Sequence, residues 1–478
     1  MSGTADGRDL LDILPLSPAQ RDLFLDDGRE DGGGIAQLVL DLAGPLDAAT
    51  LRLAAEALPA RHANLRAAFT DRDISRPVQL IPREVPPDWT EIELAGRDAG
   101  LHAAAERSRR FDLARPPLLR FALLRSASDR HRLILTHHQI LMDGRSRALL
   151  VAELFALYLA GGSGKTLPEP VPYRTYPAWL VRQDGRAAEA AWRRALAGLG
   201  GPTLAVRRRA GPPPGARRQA RLDLDEGFSR RLTLLARRLV VTVNTLFQAA
   251  WAVVLGGLTG LDDVVFGQAV SGRPPGLPGV ENMIGAFLGT LPVRVRIRPG
   301  DTLAGLLARL QEEQAELLPH HPLGPSRVRP ASGGAGLFDT LMVMEDGTSG
   351  LGTLDGSPGG LRITGSETHD SFAFPIAFVV VPGSRPSLRL HHRAGLLTGA
   401  EAAALLAGVE RFLRASVADP GRPLASLDPP PLRGPLIGPG EIEETLKRHP
   451  LVAQAFVVAS DDLHVRPSRH PALPGELS

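Results

Sequence analysis

The chain has 478 residues, 43% hydrophobic and 22% charged, which is ample for two packed domains and is not a disordered composition. A formal net charge of +3 supplies no strong field for nucleic acid, and the absence of cysteine excludes disulfides, thiolate metal sites and a cysteine nucleophile. The N-terminal stretch from Met1 to Gly7 lacks the basic and apolar regions of a signal peptide, and no run approaches the ~20 apolar residues of a membrane span. A cytoplasmic monomer with neither a nucleic-acid nor a membrane partner is the expectation. The basic character rests on arginine, because Lys165 and Lys447 are the only lysines.

Helical and strand patterns alternate along residues 1–180. Ser17-Pro18 opens a first helix, with Ser17 as N-cap and Pro18 in the first turn. A second amphipathic helix covers Leu51 to Arg61. Leu118–Leu124 and His131–Thr136 read as paired strands, and Arg145–Ala160 as the helix leaving them. Gly161 to Pro172 breaks the pattern. Residues 181–218 hold a helix around Trp192 and a basic, proline-rich loop from Arg207 to Arg218, the expected crossing between two units. Residues 219–430 then carry an apolar helix (Thr242–Leu258), a strand (Asp263–Val270) and a Gly/Pro loop (Ser271–Gly279). Strands follow at Leu291–Ile297, Thr340–Met344, Ile376–Val381 and Ser387–His391, and a helix from Thr398 to Ala415 closes the unit. Mixed elements in two similar halves predict a two-lobed α/β (α+β) fold. No short internal repeat is evident.

The most chemical stretch is Thr136-His137-His138-Gln139-Ile140-Leu141-Met142-Asp143-Gly144. It follows the apolar run Leu133-Ile134-Leu135 and ends at an Asp-Gly turn, so two imidazoles, a carboxamide and a carboxylate meet at a strand end. The stretch resembles the His-His-x-x-x-Asp-Gly signature of condensation domains in nonribosomal peptide synthetases. Counting back from Asp143, the family's first His falls on His138 and its second, catalytic His on Gln139.

Other segments carry the same resemblance in the family's order. Leu14 to Arg21 resembles the opening motif, and Arg61 to Phe69 the second, with Ala63 where glutamate is usual. Phe111-Asp112-Leu113 with Pro117-Leu118-Leu119-Arg120 resembles the segment before the histidine strand. Tyr173 to Trp179 resembles the next motif without its usual aspartate. Phe266 to Pro274, Ile284 to Arg294 (Gly289 in place of asparagine) and Leu337 to Glu345 complete the series. The resemblance covers roughly residues 10–428. It implies two chloramphenicol-acetyltransferase-like lobes, arranged as a V-shaped pseudo-dimer around a substrate tunnel. Residues 431–478 resemble the start of the small subdomain of adenylation domains, read as a remnant without adenylating activity.

The resemblance implies an enzyme that transfers a carrier-bound acyl thioester to an amine or hydroxyl acceptor. Its substrates would ride on the phosphopantetheine of partner carrier proteins, donor and acceptor, and it would need no cofactor or metal of its own. Gln139 can accept and donate hydrogen bonds but takes up no proton near neutral pH. His137 is a candidate substitute base: on a continuous strand it would share a side with Gln139, about 6.6 Å away, while His138 faces the other way. Asp143 is expected to pair with a buried arginine, Arg294 first and Arg66 second, and so to fix the turn. Gly144 would allow close backbone approach. Ser271, Gly272, Arg273, Gly285 and Thr290 are expected along the tunnel.

Three functions stay open at this point. One is a free-standing condensation enzyme, another an acyltransferase of the same fold with a soluble acceptor. The third is a degenerate domain that binds carriers or recruits a tailoring enzyme. Gly162-Ser163-Gly164-Lys165-Thr166 lacks the first glycine of a phosphate loop, since residue 159 is Leu159. The pairs His320-His321 and His391-His392 lack metal-ligand spacing. The arginines between Arg207 and Arg218 offer a surface for an acidic carrier protein.

Overall fold

Residues 9–27, 34–72, 74–96, 98–206, 217–298, 300–322, 336–345, 360–370 and 374–427 are described by the structure, a computed structural model. The first half runs β1 (Leu10–Pro15), α1 (Pro18–Asp26), β2 (Ile35–Ala43), α2 (Ala48–Arg61), β3 (Ala68–Thr70), β4 (Val78–Pro82), β5 (Asp88–Glu93), α3 (Ala99–Ser108), β6 (Leu119–Ala127), β7 (Arg130–His138) and α4 (Gly144–Leu159). After α5 (Thr175–Val181) and α6 (Gly185–Ala195) come β8 (Arg217–Asp223), α7 (Glu226–Arg238), α8 (Val243–Thr259), β9 (Asp263–Ser271), β10 (Leu288–Arg296) and α9 (Leu303–Leu317). The chain then forms β11 (Thr340–Met344), β12 (Arg362–Asp370), β13 (Ile376–Val381), β14 (Ser387–Arg393) and α10 (Gly399–Ala418).

Local chemistry sets many of these boundaries. The Ser17 hydroxyl accepts from the Gln20 amide and the Gln20 side chain returns a bond to the Ser17 amide, a capping box that starts α1. Thr398 and Glu401 do the same for α10. Thr242 caps α8, and Gly260 stops it in the left-handed region at φ 73°, where a side chain would be strained. The alternation of β6 and β7 sends Phe121, Leu123, Leu133 and Leu135 to the core under α2 and α4, while Ala122, Leu124 and Ile134 face the α3 side.

Two larger sheets carry the halves. One has the order β12-β2-β7-β6-β5, the other β10-β9-β11-β13-β14-β8, and a small sheet β1-β4-β3 flanks the first. Within them β2-β7-β6-β5 and β8-β14-β13-β11 match strand for strand: two antiparallel pairings followed by a parallel one. The helix after β7 is α4 and the helix after β14 is α10, so the two lobes share one topology. The second core is filled by Phe247 and Trp251 of α8 against Phe266, Phe378 and Leu390, with Trp251 stacked on Phe378 at 5.1 Å. Such a buried aromatic pair contributes about 0.5–1.5 kcal/mol beyond the area it hides.

One expectation needs correction. Residues 219–430 do not all belong to the second lobe, because β12 crosses back and pairs with Ala36–Ala43 of β2 in the first sheet. The proposed loop over Arg207–Arg218 lies mostly, and the tail 431–478 wholly, outside the described residues. Among the described residues no single helix is long and apolar enough to cross a membrane; α7 and α8 reach that length and apolar content only together, and they are bent by 101° at their junction.

Candidate active site

The motif turn begins where β7 stops. The strand ends at His138, so Gln139 is already in the turn and the expected alternation between His137 and Gln139 does not apply. Gln139 is half-buried, and its amide donates to the Gly34 carbonyl at 2.5 Å.

His137 is fully buried. Its Nδ1 faces the His138 carbonyl at 3.1 Å, and a carbonyl only accepts, so Nδ1 carries the proton. Nε2 has no hydrogen-bond partner. Burial, assisted by the Arg147 guanidinium, drives the ring's pKa down to about 3. The other lobe repeats the arrangement: His392, also buried, holds Nδ1 at 3.1 Å from the Arg393 carbonyl at the end of β14. Asp143 and Thr398, each six residues further on, cap α4 and α10. His137 is thus one copy of a device that both lobes use to close the strand end.

His138 is braced from several sides. Its Nδ1 accepts from the Ile140 amide at 3.2 Å and its Nε2 lies 3.2 Å from Asp27 Oδ1. Phe111 meets the ring edge-on at 6.4 Å. A Cβ on Gly34 would come within 2.3 Å of Nε2, and Gly34 has φ +108°, so only glycine fits there. Gln20 Nε2 reaches the Ile140 carbonyl at 3.2 Å.

Asp143 joins the lobes. Oδ1 accepts from the Ser146 amide at 2.8 Å and Oδ2 from the Phe287 amide at 3.2 Å, while its own amide donates to the Gly285 carbonyl at 3.1 Å. Its arginine is Arg273, with Nη2 at 3.5 Å, and not Arg294 or Arg66. Arg294 is taken by Asp263, which accepts two bonds at 2.8 and 2.6 Å, and Arg66 donates to the Pro59 carbonyl. Arg273 also donates to Ser146 Oγ at 2.7 Å and to the Met283 and Val280 carbonyls, and it lies 4.0 Å over the Phe287 ring. Burial pulls the Arg273 pKa down and Asp143 opposes that shift.

Ser146, invisible as a site residue in the sequence, uses one hydroxyl three ways. It donates to the Gly285 carbonyl at 2.7 Å and accepts from the Gly285 amide at 3.0 Å and from Arg273. Gly285 is required on steric grounds, because a Cβ would sit 2.1 Å from the Tyr173 ring. Gly272 is tight too, its Cβ position lying 2.3 Å from the Phe287 carbonyl oxygen. Gly144 is not: it is exposed at the start of α4, and an added Cβ would meet only Arg147 Nη2 at 3.9 Å. Ser271 lies exposed at the end of β9, and Thr290 sits on β10 beside Gly267.

Arg147 on α4 forms a two-pronged ion pair with Asp370 on β12, at 2.6 and 3.2 Å, beside His137. Sequence reading missed this pair, because β12 is a polar edge strand whose place only pairing with β2 reveals. Among the described residues no cluster of three or more His, Asp or Glu side chains could hold a metal.

The condensation-domain family model matches residues 11–431. The chain belongs to the condensation-domain family. Chondramide synthase cmdD of Chondromyces crocatus is 36% identical to this condensation domain over 375 residues, covering 76% of the chain. The chain spans 10% of that synthase's length. Among solved structures, the X-domain from teicoplanin biosynthesis superposes with TM-score 0.76 at 25% identity, covering 87% of this chain and 97% of that one. The same X-domain in complex with OxyB gives TM-score 0.74 at 25% identity, covering 89% and 97%. The chain thus has the condensation-domain fold of two similar lobes, and its motif turn lies where those lobes meet.

Proposed function

We propose that this condensation domain joins a carrier-bound acyl thioester to an amine or hydroxyl acceptor by alignment, without a general base in its motif. The acceptor nitrogen or oxygen attacks the thioester carbonyl, the carbon–sulfur bond breaks, and the proton lost by that attacking atom ends on the departing phosphopantetheine thiol. The observation that carries this reading is the state of the three polar residues at the turn. His137 is sealed and held neutral, His138 has both nitrogens engaged, and Gln139 has no proton-accepting range near neutral pH. General-base help supplies roughly 10²–10⁴-fold, whereas alignment of two tethered reactants reaches effective molarities of about 10⁵–10⁸ M. A carboxamide that orients the acceptor therefore suffices for a slow reaction.

A second reading is a module that holds carriers or recruits a tailoring enzyme without turnover. The missing base and the likeness to an X-domain solved with OxyB favour it. Single-turnover mass spectrometry with loaded carrier proteins separates the two. Under the first reading wild type yields product and Gln139→His accelerates it, toward the 10²–10⁴-fold range of a restored base. Carrier binding with no product from either protein supports the second and overturns the first.

A further inference from the structure

We propose that Asp27 is a positioning residue of the motif turn: it holds the His138 ring in its Nε2–H form and so fixes the backbone on which Gln139 sits. The chemistry of the two contacts leaves one arrangement. A carboxylate only accepts, so Nε2, 3.2 Å from Asp27 Oδ1, donates. A backbone amide only donates, so Nδ1, 3.2 Å from the Ile140 nitrogen, accepts. His137 next door carries its proton on Nδ1, so the two adjacent imidazoles are held in opposite forms.

Gln139 lies between two tethered peptide groups. Its own amide is bound to the Gly34 carbonyl, and the Ile140 amide that follows is bound to the His138 ring. Gln20 grips the Ile140 carbonyl. Gln20 and Asp27 are seven residues apart, two helical turns, and so present one face of α1 to the turn. The opening motif and the histidine motif are thereby parts of one site.

Asp27 is badly placed for its own helix. It stands at the C-terminal end of α1, where the dipole disfavours a carboxylate, and the last turn holds no basic residue. A local rule broken within the helix points to a role elsewhere, and the His138 contact supplies it. The Asp27 side chain is 30% exposed against 2% for His138, so the carboxylate reaches the buried ring from the solvent side.

The test labels the histidines of the full chain with nitrogen-15 and reads the His138 ring by NMR, assigned by loss of its signals in His138→Gln. Wild type should show a protonated Nε2 and a bare Nδ1. Asp27→Asn keeps a carbonyl acceptor and should keep that form. Asp27→Leu removes the acceptor: the preference should be lost and the Ile140 amide should exchange with solvent about tenfold faster. A wild-type ring protonated on Nδ1 overturns the proposal, as does an Asp27→Leu protein with unchanged ring and exchange. Should Asp27→Leu fail to fold, the wild-type and Asp27→Asn spectra still decide. Any effect on turnover rests on the condensation reading above, whereas the ring form does not. Absent product from wild type, together with a ring form lost in Asp27→Leu, would sink that reading and leave Asp27 in its role.

Discussion

Replacing Asp143 with alanine tests whether the lobes are joined as described. The change removes three things at once. The cap on α4 is worth about 1 kcal/mol. The Phe287 amide loses its acceptor inside the protein, at about 1–2 kcal/mol. Arg273, whose side chain is 6% exposed, loses its carboxylate but keeps the Ser146 hydroxyl and two carbonyls. That leftover charge costs about 1 kcal/mol, less than the ~3–5 kcal/mol of a fully orphaned buried partner. The expected loss is about 3–4 kcal/mol in urea unfolding near neutral pH, followed by tryptophan fluorescence. Arg273→Met in the same protein should recover part of it, because no unpaired charge then remains, so the two changes should be non-additive by about 1 kcal/mol. A loss below about 1 kcal/mol, or strict additivity, would refute the pairing.

Two further outcomes follow from the same geometry. His137 ionises near 3 in the folded chain but near 6.5 when unfolded, so below 6.5 the unfolded state takes up a proton that the folded state refuses. Stability attributable to this ring should therefore fall as pH drops from 6.5 toward 3, by about 2 kcal/mol at pH 5, and His391 and His321, held down to about 4, add to the loss. His137→Gln should flatten the slope of urea stability against pH by one proton over that range; an unchanged slope contradicts the sealed ring. Gly285→Ala should lower stability by about 1–3 kcal/mol in thermal melts, because the methyl group meets the buried Tyr173 ring, while Gly144→Ala stays within about 0.5 kcal/mol. Equal effects would show that the inter-lobe packing at Gly285 is looser than described.

Features whose partners lie a few residues away were legible in the sequence. Ser17 capping α1 and Thr398 opening the last helix are set by chemistry within one turn. The strands Thr340–Met344 and Ile376–Val381 announce themselves by short, strongly apolar runs that end at turn residues. That a carboxamide, Gln139, stands four residues before Asp143 was equally plain, because it depends only on residue identity at a fixed spacing. What needed the fold were choices among distant equals. The chain offers many arginines to Asp143, and sequence alone preferred Arg294. Only strand pairing shows Asp263 placed diagonally across from Arg294, leaving Arg273 to meet Asp143 from the loop after β9. Polar β12 carries no apolar signature and becomes a strand by adding to the edge of β2. Asp27, Ser146 and Gly34 act on atoms more than a hundred residues away in the chain. Their roles were undecided until packing brought two lobes and one short helix to the same turn, because a hydrogen bond forms only across a few ångströms that chain distance does not predict.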